Sequence, residues 1–345
     1  MKIITAVMLG AALLLSAGPA SARDPLDDAL DLLTRDQAAG LVALERLITA
    51  GEPEAMSVVA GIIYAPPPDS TVTADPVRAV ALWERALARG SMSAPLNYGT
   101  NLMLNDDPAD DERAVELLRG VRGDLASLAA YPLGRAYLFG HGVEQDMARG
   151  SRLLETAVEE APGNIDAQFL LGRAYQNGWG IPADAGAAYR HLKIAADGGD
   201  ARAQWNVGMA LLNGDGVTAN PVLAHAYVRA SAEDGYPSGM ISMAVMLAVG
   251  QGTRVDAAQA RQWYRRAAET GSAHALRGLA GMLLAGEGGR VDAVAGAAYL
   301  DLAAKAGDPN ARQMQQIFAQ LIAAQDQGAV EAAKAAWVRD FGIPR

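Results

Sequence analysis

The fold is decided by a stretch that the chain repeats: residues 167–180 read AQFLLGRAYQNGWG, and residues 203–216, 36 positions further along, read AQWNVGMALLNGDG. Both stretches begin with alanine, have a glycine at the sixth position and end in a Gly-x-Gly pair. The pair occurs five times at near-constant spacing, beginning at Gly140, Gly178, Gly214, Gly250 and Gly286. Self-similarity at a fixed period of this size indicates a repeat architecture.

A second motif follows each Gly-x-Gly pair and keeps the same phase. It is a pair of mostly small residues, at 157–158, 195–196, 231–232, 267–268 and 303–304, with another small residue four positions after its first member. Each unit therefore reads as two helices, A and B. In the fourth unit we predict helix A over 238–249 and helix B over 256–269, the latter ended by Gly271, because glycine readily adopts the left-handed conformation that closes a helix.

Glycine inside helix A predicts close packing. Gly208 occupies a helix interior, where glycine is about 1 kcal/mol less favourable than alanine. Its recurrence at this position indicates that the neighbouring helix passes where a Cβ would lie. We therefore expect helix B to contact helix A at this point.

The repeats set the predicted organisation of the chain. We expect an all-α, right-handed α/α solenoid of about seven to eight helix-pair repeats. Terminal units that depart from the consensus are the expected caps of such an array. The predicted segments are a cleaved signal peptide at 1–22, an N-terminal helix-pair cap at 23–51, degenerate repeats at 52–128, well-matched repeats at 129–307, and a C-terminal helical cap at 308–345.

The N-terminal segment has the pattern of a secretory signal peptide. Lys2 precedes an apolar run over 3–15, and Ala20-Ser21-Ala22 places small residues at the cleavage positions. The run is shorter than the roughly 20 residues that a membrane span needs, although a retained anchor is the alternative interpretation. We therefore expect a periplasmic or secreted protein with no stable membrane span after cleavage.

The repeat residues resemble a known family. Units such as 167–180 and 260–271, the latter reading ARQWYRRAAETG, are similar to the Sel-1-like repeats, a subclass of the tetratricopeptide-type α/α solenoids. The resemblance implies a superhelix with the A helices on its concave face, and adaptor, chaperone-like or regulatory roles in protein–protein interaction. Its secreted bacterial members include regulators of sensor kinases and host-facing virulence factors. A disulfide-linked secreted subgroup carries paired cysteines, and this chain has none.

Composition excludes several function classes. The chain has 345 residues, of which 51% are hydrophobic and 20% charged, and this composition supports an ordered core. Its net charge of −10 lacks the basic footprint of a nucleic-acid-binding protein. With no cysteine there is no disulfide or thiolate chemistry. The sequence contains no His-Glu-x-x-His helix, Gly-x-Ser-x-Gly elbow or complete dinucleotide-binding loop, so we expect no enzyme, cofactor or metal site.

A stripe along the A helices is the candidate binding site. Positions three before, one after and four after the central small residue share one helix face. In the first three well-matched units this face carries aromatic and arginine side chains, which dominate binding hot spots. The alternative is that these side chains pack against the next A helix; Arg135 and Arg173 favour a ligand surface, because arginine is rarely buried without a partner. The candidate partner-binding residues are Tyr131, Arg135, Phe169, Arg173, Gln176, Trp205 and Met209.

Two classes of function follow. The first is a non-enzymatic periplasmic scaffold, adaptor or regulator that binds an unidentified peptide or protein in the concave groove; a secreted host-directed effector shares its mechanism. The second is an enzyme acting on the cell envelope or peptidoglycan, for which acidic clusters such as Asp107/Asp110/Asp111 are the sequence support. The absence of catalytic motifs favours the scaffold.

Overall fold

The computed structural model of the chain describes residues 24–66, 70, 72–105 and 107–343. The predicted signal peptide, residues 1–22, lies outside these residues. The contacts within the chain define two units, Met1–Ala183 and Asp184–Arg345. Each unit is described by itself.

Unit 1 is built from helices in its described part. A 3₁₀ helix, Gly123–Ala129, precedes α7 and was not predicted. The α-helices are α1 Pro25–Arg35, α2 Gln37–Ala50, α3 Pro53–Tyr64, α4 Pro76–Ala88, α5 Ala94–Leu104, α6 Pro108–Gly120, α7 Ala130–Phe139, α8 Met147–Glu160 and α9 Ile165–Asn177.

Unit 2 continues the same pattern of helices. Two short helices, Ala311–Ile317 and Ala319–Ala323, lie within the predicted C-terminal helical cap. The helices are α10 Ala185–Asp197, α11 Ala201–Asn213, α12 Pro221–Glu233, α13 Pro237–Val249, α14 Ala257–Glu269, α15 Ala273–Ala285, α16 Ala293–Lys305, α17 Ala311–Ile317, α18 Ala319–Ala323 and α19 Gln327–Phe341.

Within each unit the helices pack as antiparallel pairs in sequence order. The most extensive contacts join an A helix to the B helix that follows it, as for α7 with α8 and α11 with α12. Each B helix then contacts the next A helix, as α12 contacts α13. The predicted all-α helix-pair solenoid is confirmed. No helix in the described part of the chain has the length and apolarity that a membrane crossing requires.

The B helices of the well-matched repeats begin, and their A helices end, at residues whose chemistry explains the boundary. A side-chain oxygen of Asp or Asn at the start of each B helix accepts a hydrogen bond from a backbone N–H in the first turn, which satisfies one of the free donors there. The A helices of the well-matched repeats end at the first glycine of each Gly-x-Gly pair, in the left-handed conformation with φ between 68° and 81°. The B-helix caps are Asp146, Asp184, Asn220, Asp256 and Asp292.

The second glycine of each pair has a separate role. Gly216 also has positive φ, and a Cβ there would overlap the backbone of Ala185, the first residue of α10. Gly252 meets Pro221, the first residue of α12, in the same way. The Gly-x-Gly loop therefore lies directly against the first turn of the preceding B helix, a contact that the sequence did not predict.

The small residue inside helix A packs as predicted. A Cβ at Gly208 would lie 2.5 Å from Val228 Cγ2 and 3.3 Å from the carbonyl oxygen of Ala224, both on α12. At Gly134 the nearest atoms belong to Gly150 and Leu154 on α8. The absence of a side chain on helix A thus allows close approach of helix B.

Candidate functional site

The A-helix face of unit 1 contains an arginine whose Nε has no acceptor among the described residues. Arg173 lies on α9, half-buried, and its guanidinium carbon is 5.7 Å from the centre of the Trp179 ring. Its Nε is buried and has no hydrogen-bond acceptor among the residues that the structure describes. A buried donor without an acceptor costs about 1–3 kcal/mol, and more when the group is charged. The guanidinium of Arg173 therefore keeps hydrogen-bonding capacity that the described residues do not use.

Trp179 connects this arginine to further aromatic side chains at the end of the preceding A helix. Phe139, at the end of α7, is 42% exposed. Its ring centroid lies 5.9 Å from that of Trp179, edge-on, and 6.0 Å from that of His141. We call Phe139, His141, Arg173 and Trp179 the rim cluster. It combines an exposed aromatic surface with a cation, the composition typical of binding hot spots.

Sequence reasoning missed Phe139 and His141 as part of this cluster. A signal was present, because the middle residue of Gly-x-Gly is aromatic or histidine only at the first two pairs. The middle residues of the five pairs are His141, Trp179, Asp215, Gln251 and Glu287.

The other predicted residues of unit 1 differ in accessibility. Tyr131 and Arg135 on α7 are half-buried, and Gln176 near the end of α9 is exposed. Phe169 is only 7% exposed, so its ring packs inside unit 1 and offers little surface to a partner. The binding role of all four residues stays a prediction.

The predicted residues of unit 2 are engaged with the next A helix. Trp205 on α11 is half-buried, and its Nε1 donates a hydrogen bond of 2.9 Å to Ser242 Oγ on α13. Its ring also meets Tyr236 edge-on, with centroids 6.1 Å apart. Met209, one turn further along α11, is half-buried. The indole thus links consecutive A helices, as the packing alternative expects, and a binding role for either side chain stays a prediction.

A different position of the same helix face carries a paired arginine further along unit 2. Arg277 Nε on α15 lies 2.9 Å from Asp308 Oδ1, an ion pair without hydrogen-bond geometry whose two side chains are 15% and 3% exposed. Burial lowers the pKa of the adjacent His274, and the charge of Arg277 lowers it further. Arg277 therefore has a counterion inside the unit, whereas Arg173 Nε has no acceptor in the described structure.

The described residues contain no group of three or more histidine, aspartate or glutamate side chains placed to hold a metal ion. This includes the predicted acidic cluster around Asp107, Asp110 and Asp111. There, Asp107 caps α6, and Asp110 accepts a hydrogen bond from Asn105. These carboxylates serve local structure.

Comparison with known proteins places the chain in a family. The Sel1 repeat model matches residues 53–91, 127–161, 165–200, 201–236, 237–272 and 273–308. The chain belongs to the Sel1 repeat family, whose members are generally non-enzymatic scaffolds for protein–protein interaction. The segment 92–126 lies outside the matches. No curated protein sequence matches the chain.

Two solved structures have a similar fold. A Sel1 repeat protein from Oxalobacter formigenes is similar with a TM-score of 0.60 and 25% sequence identity, covering 71% of this chain and 96% of that one. The protein c5321, a protective antigen of uropathogenic Escherichia coli strains with an SLR fold, is similar with a TM-score of 0.56 and 20% identity, covering 89% of this chain and 73% of that one. The second similarity concerns the fold alone.

Proposed function

We propose that this chain is a non-enzymatic scaffold that binds a peptide or protein partner on the A-helix face of unit 1. The observation that carries the proposal is the unpartnered Nε of Arg173 beside exposed aromatic surface. Family membership supports the same class of function.

The chemistry of the rim cluster favours a peptide ligand. Stacking against Trp179 helps to hold the Arg173 guanidinium, which reduces the entropy lost when it donates to a carbonyl or carboxylate oxygen. Phe139 and Trp179 supply apolar area beside it. An extended peptide offers backbone carbonyls and side chains at this spacing, so both kinds of surface are used together.

We also propose that residues 1–22 direct export, so that binding takes place in the periplasm or outside the cell. Their charge and apolar pattern supports this location. N-terminal sequencing of the protein recovered from the periplasm or medium tests it, with a chain beginning at Arg23 expected. Recovery of a chain that still begins at Met1, in the cytoplasm, contradicts it. A partner from the bacterial envelope indicates a periplasmic adaptor, and a partner from a host cell indicates a secreted effector.

Site-specific photo-crosslinking in the native cell tests the binding face. A photoreactive amino acid at the exposed position Gln176 is expected to capture a discrete partner. The same residue at Glu159, exposed on the B helix α8, is the positional control. The partner is identified by mass spectrometry of the crosslinked product.

Charge reversal then shows whether Arg173 is required. In the protein that carries the photoreactive residue at position 176, Arg173→Glu is expected to abolish capture of the partner. The double variant Arg173→Glu/Arg135→Glu is expected to lose capture at least as completely. Arg152→Glu changes the same charge on the exposed face of α8 and is expected to leave capture intact. Capture that survives Arg173→Glu, with unchanged circular dichroism, moves the site away from this face.

A further inference from the structure

Two arginines converge on one buried tyrosine between the helices of unit 1. Arg119, near the end of α6, donates from Nη2 and Nε to the phenolic oxygen of Tyr137, at 2.5 and 3.2 Å. The guanidinium carbon of Arg149, in the first turn of α8, lies 4.2 Å from the centre of the same ring. A third cation is adjacent, because Arg122 donates from Nη1 to the carbonyl oxygen of Arg119, at 2.5 Å.

The next repeat has a residue of opposite charge at the position of Arg119. Leu118 packs against the small residue Gly99, and Leu154 packs against Gly134, so the residues that follow them, Arg119 and Glu155, hold equivalent places. Each contacts the tyrosine of the following A helix, but Tyr175 donates to Glu155 Oε1 at 3.0 Å. The same position is thus acidic in one repeat and basic in the other.

The three arginines have no counterion within the described structure. No ion pair there joins Arg119, Arg122 or Arg149 to a carboxylate, and both Arg119 and Arg149 are exposed. The nearby Glu116 is held by Arg113, whose Nη1 lies 2.7 Å from Glu116 Oε2. Like charges that converge without a counterion raise the local potential and favour an anion.

Arg119 also lines a cleft. It has a volume of about 630 Å³ and runs along α6 to the loop that follows α7. Its lining is mixed in charge, with Glu112 and Glu116 beside Arg113 and Arg119. Glutamates in the wall oppose a doubly charged phosphate more strongly than a singly charged carboxylate.

We propose that Arg119 and Arg149, both held by Tyr137, form a binding site for a carboxylate side chain of an acidic peptide segment. Arg149 supplies a planar donor fork, which matches the two oxygens of a carboxylate, and Arg119 adds the Nη1 donor that it does not use on Tyr137. Tyr137 is only 3% exposed, so its part is to position the two arginines: its phenolic oxygen accepts from Arg119. Stacking on the ring orients Arg149 before the ligand arrives. The site shares no residue with the rim cluster. An experiment that rules out one of the two sites therefore leaves the other untouched.

Fluorescence anisotropy with a labelled, end-capped tetraglutamate peptide tests the site on the full purified chain. The probe is expected to bind saturably, and tetraglutamine not to bind. Arg149→Gln is expected to weaken binding at least about tenfold, because a charge-assisted hydrogen bond is lost. Tyr137→Phe retains the ring and loses the hydroxyl, and is expected to weaken binding less.

Arg152→Gln is the matched control, since Arg152 is an exposed arginine three residues further along α8. Arg152→Gln removes the same charge and is expected to leave the affinity for the probe within about twofold of the wild type. The charge of Arg152 acts on the probe only over a long distance, where salt screens it. Equal weakening by Arg149→Gln and Arg152→Gln overturns the proposal in favour of diffuse attraction. Absence of saturable binding overturns it outright. Competition by inorganic phosphate at concentrations where acetate has no effect overturns the carboxylate assignment. Circular dichroism confirms that each variant is folded.

Discussion

The well-matched repeats over 129–307 and the degenerate repeats over 52–128 build the same helix pairs with different chemistry. In the first region the loop after helix A meets the preceding B helix through its second glycine, as Gly252 does at Pro221, and single side-chain bonds such as Trp205 to Ser242 add to this contact. The second region has no Gly-x-Gly pair, and a network of side chains connects its repeats. The difference teaches that the family's sequence signature marks one solution to helix docking, and that the fold itself accepts another.

The side-chain solution centres on Glu54, near the start of α3. Its carboxylate accepts hydrogen bonds from Ser91 Oγ at 2.9 Å, from the backbone N–H of Met92 at 2.7 Å and from the hydroxyl of Ser93. One turn further along, Asn97 Nδ2 donates to Ser57 Oγ at 3.0 Å in the interior. These bonds join α3 to α5, so consecutive A helices are held by polar contacts.

Aromatic packing supports the same region. Trp83 on α4 is fully buried, stacks on Tyr98 with centroids 4.8 Å apart, and meets Tyr64 at 5.3 Å. Stacked aromatic pairs add about 0.5–1.5 kcal/mol beyond the area they bury. Trp83 lies eight residues after the N-cap of its helix, and the larger indole thus takes a place that is mostly aliphatic in the well-matched repeats. The equivalent residues there are Leu154, Leu192, Val228, Tyr264 and Leu300.

The largest expected effect is at a Gly-x-Gly loop. Gly252→Ala is expected to cost about 4 kcal/mol or more of unfolding free energy, because the new Cβ overlaps the Pro221 backbone at a residue with positive φ. Gly271→Ala is the matched control, with φ +92° but no atom within 4 Å of the new Cβ. It is expected to cost only about 1–2 kcal/mol, the strain of the left-handed conformation. Urea denaturation measures the unfolding free energy of both variants. Equal losses in Gly252→Ala and Gly271→Ala show that the left-handed backbone conformation, and not the close contact with Pro221, requires glycine at position 252.

The next effect is at the contact between helices A and B. Gly208→Leu places a branched side chain against Val228 and is expected to cost about 3 kcal/mol through overpacking. Gly163→Leu, where nothing lies within 4 Å of the added Cβ, controls for the change in composition. Thermal unfolding followed by circular dichroism measures both. A Gly208→Leu variant that melts like the wild type contradicts the described packing of α11 on α12.

A smaller loss is expected from the polar network of the degenerate repeats. Glu54→Gln keeps the shape but removes the charge that strengthens three hydrogen bonds, and is expected to cost about 2 kcal/mol. Hydrogen exchange is the most direct measurement, with faster exchange expected at the amide of Met92. Glu52→Gln, two residues earlier at the start of α3, is the control. Unchanged exchange at Met92 shows that the network does not hold the repeats together.

The smallest expected effect concerns the C-terminal helix α19, which an ion pair joins to α16. Lys334 on α19 is 9% exposed and its Nζ lies 2.7 Å from Asp301 Oδ2 on α16. Burial acts to raise the pKa of Asp301, but hydrogen bonds from Lys334 and Lys305 outweigh it and lower the pKa below its ordinary value of 3.8. The stabilisation by charged Asp301 is therefore complete above pH 3.8 and is lost as the pH falls through the lower value of the folded state.

Melting temperatures at pH 7 and pH 3 test this dependence. The wild type is expected to lose a few degrees more than Asp301→Asn between the two conditions, because the variant has no carboxylate to protonate at this position. Asp340→Asn, at an exposed ion pair with Arg339 on the same helix, is the control. If the melting temperature falls by the same amount in the wild type and in Asp301→Asn, the ion pair between Asp301 and Lys334 does not contribute to holding α19 in place.

The sequence predicted the regular part of the fold in detail. The helix expected over 238–249 is α13, and that expected over 256–269 is α14, each to within one residue. Such accuracy is possible because glycine and N-cap residues report local backbone conformation. The break between α17 and α18 has no glycine or proline to mark it, and the loop contact of Gly252 depends on a residue 31 positions away.

The candidate site was predictable only in part. A helical projection identified Arg173, because the helix face of a residue follows from its position alone. The same projection grouped it with Phe169, whose burial depends on the neighbouring helices. The pairing of Arg119 with Tyr137 joins two helices across 18 positions, and periodicity gives no information on such contacts.

The Gly-x-Gly contact has a consequence for how such an array grows during evolution. The two backbones that meet, at 185 and 216, at 221 and 252, and at 257 and 288, are separated by 31 positions in each case. A duplicated gene segment of 36 codons therefore encodes both halves of one joint. The inserted repeat therefore contains both backbone segments of the contact, and the existing repeats need no compensating substitution. The number of repeats can consequently change faster than the sequence of each repeat.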